Sequence, residues 1–301
     1  MGFLARSILA AAAALASPAA FAALAVFATV PEWAALAEEL GGDKVKVYAA
    51  TQALQDPHRI EARPSLIARA RTADLVVATG AELEVGWLPL VLQQAGNAKV
   101  RPGTPGYFEA AAHVPLIGKP QRLDRAEGDV HPAGDPHIQT DPRNIARVAA
   151  PLAARMAELD PANAAHYRAR LEAFSGRWSA ALARWEQQAA PLKGVPVVVQ
   201  HKAFGYLEAW LGLREVAALE PRPGMEPSSA HLASVLAALQ ASPAKMVLRA
   251  AYQGDRASQW LAQRARVNVV VLPFTVGGTE GAKDLFTLYD DTVQRLLKGL
   301  A

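Results

Sequence analysis

Apolar and polar residues alternate along residues 24–110 with two different periods. Residues 24–29 are a short apolar run that reads as a strand. Residues 32–40 carry the three-and-four spacing of an amphipathic helix, stopped by Gly41 and Gly42. Residues 44–49 alternate with period two, 64–72 open on a proline as a helix does, 75–78 are wholly apolar, and 87–95 return to helix. Strands alternating with helices in this way predict parallel βαβ units.

The pattern breaks over residues 115–135, which are rich in Gly, Pro and charge and show no period. A hairpin or mobile loop is expected there. Asp141 is placed to cap a helix that opens on Pro142 and runs to 159. Asp160-Pro161 repeats the device, and only Gly176 interrupts the helix formers before Pro191. A helix over 160–190 would be about 45 Å long. Tyr167, Leu171, Phe174, Trp178, Leu182 and Trp185 give it one apolar stripe. That length suits a helix crossing between two lobes. A second alternating pattern follows, with strands expected at 195–200, 215–219, 245–249 and 267–272 and helices at 203–211, 229–241, 255–265 and 282–300. The fold class is therefore α/β, two βα-type lobes joined by a single long helix. Its parts are an N-terminal lobe over 23–159, a linker helix over 160–190 and a C-terminal lobe over 191–301.

The first 22 residues read differently. Arg6 supplies a positive start, residues 8–16 a short apolar stretch, Pro18 a break, and Ala20-Phe21-Ala22 a small-x-small cleavage site. A secretory signal peptide over 1–22 is expected, and with it a periplasmic location. No later stretch is apolar for the roughly 20 residues a membrane span needs.

Composition narrows the chemistry. The chain of 301 residues has no cysteine, which removes disulfides, thiolate metal sites and a cysteine nucleophile. A formal charge of +3, scattered rather than clustered, gives no footprint for nucleic acid. The signatures of zinc proteases, P-loops, serine hydrolases and dinucleotide folds are all missing from the sequence. Without a coiled-coil seam, a monomer is expected.

What remains is a tripeptide that occurs twice, Asp56-Pro57-His58 and Asp135-Pro136-His137. Each copy lies in a turn before a helix, where the proline fixes the backbone and presents the imidazole from a defined position. His201 follows the strand expected at 195–200. All three therefore stand at the carboxyl ends of strands, where α/β folds bind ligands. Imidazole is a good zinc ligand, and a fourth ligand or a water completes such a site. Glu280, between glycines after the last strand, is the best acidic candidate, and Asp284 the next. His131 could capture metal from its loop but needs no role there. His113, His166 and His231 read as surface residues. The spacing from His58 to His137 equals that from His201 to Glu280. Asp141 reads as a helix cap in preference to a carboxylate partner of a ligating ring.

The ordered set 55–65, 128–137 leading to Asp141-Pro142, 160–163 and 201–206 resembles the periplasmic metal-binding receptors of ABC importers for zinc and manganese. The resemblance covers nearly the whole chain after residue 22. It implies two lobes on one rigid helix, with the metal between them. It carries ligand roles onto His58, His137 and His201, and three imidazoles point to the zinc branch. It further implies that the chain captures Zn²⁺ as transported ligand, catalyses nothing, and has an ABC transporter membrane permease as partner. A metallochaperone is a further candidate partner. The family's usual fourth ligand is an aspartate after the last strand. None lies between Pro273 and Lys283, so Glu280 is expected to stand in. The alternatives are a manganese receptor of the same family and an exported zinc-dependent hydrolase.

Overall fold

The computed structural model describes residues 22–120 and 131–301, so the expected signal peptide lies outside the described residues apart from Ala22. The apolar run forms β1 (Leu24–Ala28), followed by α1 (Pro31–Gly41), β2 (Val45–Ala49), α2 (Pro64–Arg71), β3 (Leu75–Ala78), α3 (Leu88–Ala95) and a short β4 (Tyr107–Glu109). β1 pairs in parallel with β2 and β3, and β3 with β4, in the order β2-β1-β3-β4. The sequence pattern missed β4, since three residues are too few to display a period.

Two helices follow, α4 (Pro142–Leu159) and α5 (Ala164–Ala189). Asp141 caps α4 by accepting from the Arg143 N–H at 2.8 Å, as its position before Pro142 predicts. The second lobe repeats the first. It comprises β5 (Pro196–Val199), α6 (Gly205–Leu211), β6 (Arg214–Ala218), α7 (Ser229–Ala241), β7 (Met246–Ala250), α8 (Arg256–Ala265), β8 (Asn268–Leu272) and α9 (Leu285–Leu300). Its strands are again parallel, in the order β6-β5-β7-β8.

Parallel strands need cover on both faces. The outer face of the first sheet packs Phe27, Val76 and Ala78 against Leu66, Leu88 and Val91 of α2 and α3. The outer face of the second packs Val198 and Val247 against Val235, Leu239 and Leu261 of α7 and α8. Both inner faces share one core: Val26 and Val77 of one lobe and Val197 and Leu248 of the other join a single cluster with α1, α4, α5 and α9.

Helix α5 is the spine of that cluster, packing on α1 and α4 on one side and on α9 on the other. Its stripe buries Tyr167, Phe174, Trp178 and Trp185, with Leu171 and Leu182 partly buried beside them. Trp178 and Trp185 stack edge-on with each other and approach Tyr289 of α9 at centroid distances of 5.5 and 5.2 Å. Their indole N–H groups donate to the Pro142 carbonyl at 2.9 Å and to Asp290 at 2.6 Å, so neither is buried unpaired. Among the described residues no helix is long and apolar enough to cross a membrane.

Candidate metal centre

The carboxyl ends of both sheets face one cleft, and the loops that leave them bring histidines together. The rings of His58 and His137 lie 5.2 Å apart between centroids, His137 and His201 5.7 Å, and His58 and His201 6.2 Å. A fourth ring joins them: His131 lies 5.3 Å from His58 and 6.3 Å from His137. Two imidazoles bound to one tetrahedral zinc, with Zn–N near 2.0–2.1 Å, would have centroids about 5.2 Å apart. The closest pairs already meet that spacing and the widest exceed it by about 1 Å. Among the described residues no three such side chains stand together at coordination distance.

The repeated Asp-Pro-His is a clamp. In the first copy Asp56 Oδ1 accepts the His58 backbone N–H at 3.0 Å and lies 2.9 Å from His58 Nδ1. In the second, Asp135 Oδ1 accepts the His137 N–H at 2.9 Å and lies 2.7 Å from Nδ1. One carboxylate oxygen thus fixes backbone and ring together. A proton on Nδ1 directed at a carboxylate leaves the Nε2 lone pair free for a metal and raises its basicity. Nε2 of both His58 and His137 is buried without a hydrogen-bond partner. Such an atom is costly unless something else pairs with it. The loop carrying His58 is held from below by the Trp87 indole N–H, which donates to the Pro57 carbonyl at 3.0 Å.

His201 obtains the same support from a distance. It stands two residues past β5, and its Nδ1 lies 2.7 Å from Glu220 Oε2 in the loop after β6. Glu220 is fixed in turn by the Gly224 N–H, which donates to the same oxygen at 2.7 Å. Sequence reasoning passed over all three supporting carboxylates. Asp56 and Asp135 were in view as part of the repeat. Glu220, nineteen residues from its histidine, had no local signal.

His131 reaches the cluster through a turn in which its carbonyl accepts the Gly134 N–H at 3.1 Å. Gly134 has φ of 126°, and a Cβ there would stand 2.6 Å from the Ile117 carbonyl oxygen, so only glycine fits. The turn His131-Pro-Ala-Gly134 was the readable sign of this placement. His131 Nδ1 is buried and unpartnered. Burial, then the facing His58 and His137, push its pKa down to about 3. Burial likewise holds His137 below the ordinary imidazole value, against the opposing pull of Asp135. Both rings are neutral near neutral pH, the form a metal requires.

The expected acidic partner behaves differently. Glu280 is exposed. The loop that carries it folds toward α1, α5 and α9: Val276, Lys283 and Asp284 line a surface hollow with Pro31, Glu38 and Arg170, and a Cβ on Gly281 would strike Asp291. Asp284 caps α9 in a reciprocal box with Thr287. The carboxylates that meet the His58, His137 and His201 rings are Asp56, Asp135 and Glu220. His113 stacks on Phe108, His166 meets the Gly41 carbonyl and His231 the Ala218 carbonyl, all outside the cluster.

The lobes are stapled around the centre. The Tyr206 hydroxyl of α6 accepts from the Ile117 N–H at 3.2 Å and donates to the Asp135 carbonyl at 3.1 Å. Arg59 donates to the Gly224 carbonyl at 3.1 Å. Tyr289 donates to the Gln139 carbonyl, and Thr275 to the buried Glu32 carboxyl. A cavity of about 380 Å³ reaches His131, His137 and His201 from solvent, flanked by Lys202 and Glu215.

Two parallel α/β lobes on one spine helix, with carboxylate-backed imidazoles meeting at the seam, define a binding protein for a nitrogen-loving metal ion. The profile of the family described as "ZnuA: Zinc-uptake complex component A periplasmic" matches residues 26–299, and the chain belongs to that family. It is 26% identical over 209 residues to the zinc-binding lipoprotein AdcA of Streptococcus pneumoniae serotype 4, covering 66% of this chain but only 39% of that protein. It is 23% identical over 258 residues to the high-affinity zinc uptake system protein ZnuA of Bacillus subtilis, covering 81% of this chain and 76% of the other. A crystal structure of a ZnuA deletion mutant with zinc bound superposes at a TM-score of 0.76, with 25% identity, over 93% of this chain and 98% of that one.

Proposed function

We propose that this protein is the extracytoplasmic receptor that captures Zn²⁺ and delivers it to the membrane permease of an ABC importer. The observation that carries the reading is the meeting of His58, His137 and His201 at the seam of two lobes, each ring backed on Nδ1 by a carboxylate. We assign these three as zinc ligands. The family description and the named function of the zinc-uptake relatives support the same cargo. So does donor chemistry, since imidazole suits zinc where carboxylate and water suit manganese.

The protein binds and hands over its ion; no bond of a substrate is made or broken. Residues 1–22 export the chain to the periplasm as a signal peptide. The receptor acts as a monomer: few large apolar side chains are exposed among the described residues, Leu54 and Val85 foremost. A metallochaperone is a candidate donor on the loading side. In this reading the lobes shift little, because one core runs through both, and the rings rotate to close on the ion.

The test is a competition titration of the metal-free protein with Zn²⁺ and Mn²⁺. Zinc is expected to bind at one site, far more tightly than manganese, and with an affinity that falls as pH drops through the imidazole range. Tighter manganese binding would overturn the assignment.

A further inference from the structure

We propose that His131 is the fourth ligand of the captured zinc, which makes the site wholly imidazole and hangs three of its four ligands on the first lobe. This rests on the cleft binding zinc through His58, His137 and His201, and it names what completes that site.

Four observations converge on His131. Its ring stands as close to His58 as His137 does. Its Nδ1 is buried with no hydrogen-bond partner, beside the equally orphaned Nε2 atoms of His58 and His137. Three unpaired imidazole nitrogens in one buried cluster are costly together, and a single cation satisfies all three. The turn that delivers the ring is built for the purpose, since Gly134 allows a backbone approach to Ile117 that any Cβ would block. Finally, the nearby carboxylates are engaged elsewhere. Asp56, Asp135 and Glu220 back the other three rings, Asp284 caps α9, and Glu280 is exposed.

His131 also differs from the other three in a way that gives it a role. Among the described residues, its ring has no carboxylate fixing a tautomer. Its free nitrogen is Nδ1, where His58 and His137 offer Nε2. A ring held this loosely binds last and leaves first, so it is the ligand at which exchange of the ion begins. It faces the cavity by which His137 and His201 reach solvent. Four neutral nitrogen donors also discriminate against manganese, which prefers oxygen.

The experiment compares wild type, His131→Gln and Glu280→Gln, full length after the leader. It uses zinc affinity by chelator competition and the absorption of the Co²⁺-substituted protein, with X-ray absorption counting imidazoles on bound zinc. Wild type is expected to show four imidazoles and intense tetrahedral cobalt bands. His131→Gln should lose at least tenfold in zinc affinity and weaken the cobalt bands while the metal-free melting temperature stays unchanged. Glu280→Gln should match wild type. Three imidazoles in the wild type, or a His131→Gln protein with unchanged affinity and cobalt spectrum, overturns the assignment while leaving the zinc receptor intact. A wild type that binds no zinc overturns both.

Discussion

The two lobes share one strand order yet support their histidines by different means. In the first lobe the carboxylates behind the His58 and His137 rings are two residues away, so ring, backbone and partner form one rigid tripeptide in each. In the second, His201 depends on Glu220 from the neighbouring strand's loop, and Glu220 depends on Gly224. A local clamp survives any distortion that spares its own turn. A long-range one is correct only when β5 and β6 are in register. The first lobe therefore holds its imidazoles in preassembled turns, and the second holds His201 by a contact that responds to packing.

The largest effect expected is from removing a ring. A structural zinc site is worth roughly 10–16 kcal/mol over about four ligands, so each ligand carries about 3 kcal/mol. His137→Ala and His201→Ala should each weaken zinc binding by more than about a hundredfold in a competition assay. If the contrast between lobes is right, His137→Ala does more damage, because it also removes a partner from an already ordered cluster. Equal losses would break the comparison.

Removing a supporting carboxylate should cost about ten- to a hundredfold in affinity. Asp56→Asn and Asp135→Asn keep the turn, since asparagine can still accept the backbone N–H. They should fall at the lower end, with unchanged melting of the metal-free protein. Glu220→Ala removes the acceptor of the Gly224 N–H together with the partner of His201 and should fall at the upper end. The order Glu220→Ala, then the two aspartates, is what a zinc titration series would check.

The contrast extends to pH through a buried acid at the seam. Burial raises the pKa of Glu32 from 4.5 to about 7, against the hydrogen bond from Thr275. Between those two values the folded protein holds a proton that the unfolded chain has released, so stability falls as pH rises and the penalty persists above about 7. His137 acts in the opposite sense. Its pKa is lowered by burial, so the unfolded chain takes up the proton first, and metal-free stability falls as pH drops below the ordinary imidazole value. Glu32→Gln should therefore raise the metal-free melting temperature at pH 8 and have less effect at pH 5. The same gain at both values would show that the carboxyl is not strained by burial.

The smallest effect expected is at Tyr206, whose hydroxyl joins α6 to Ile117 and Asp135. Tyr206→Phe should cost about 1–2 kcal/mol in denaturant unfolding. It should weaken zinc binding only slightly.

The lobes also differ in how far the sequence disclosed them. Most elements could be located from hydrophobic period and the Asp-Pro and Gly stops; the helices at Pro142–Leu159 and Ser229–Ala241 and the strand Leu75–Ala78 fall where the pattern puts them. The repeated Asp-Pro-His was legible because its whole mechanism lies within three residues. Glu220 was not, since its partnership depends on strand pairing. The expectation for Glu280 followed from loop position after the last strand, where side-chain direction cannot be read. Gly278 and Gly281 let that loop pass close to Pro273 and Asp291, where an added Cβ would clash. His131 reads from sequence as able to capture metal but needing no role, because a loop without period does not show where a ring folds and its Pro-Ala-Gly turn is the one local sign.

The spine helix has a consequence for how the chain comes apart. Molecules of two lobes often melt in two steps, each lobe being its own cooperative unit. Here no surface separates them: Trp178 and Trp185 lie buried in one apolar cluster that takes in residues of both lobes. Cutting the chain at α5 would remove the helix that joins the inner cores of the two sheets and leave each half with its outer cluster and a partial inner one. The protein should therefore unfold in a single transition, and a bound ion at the seam should shift that transition as a whole.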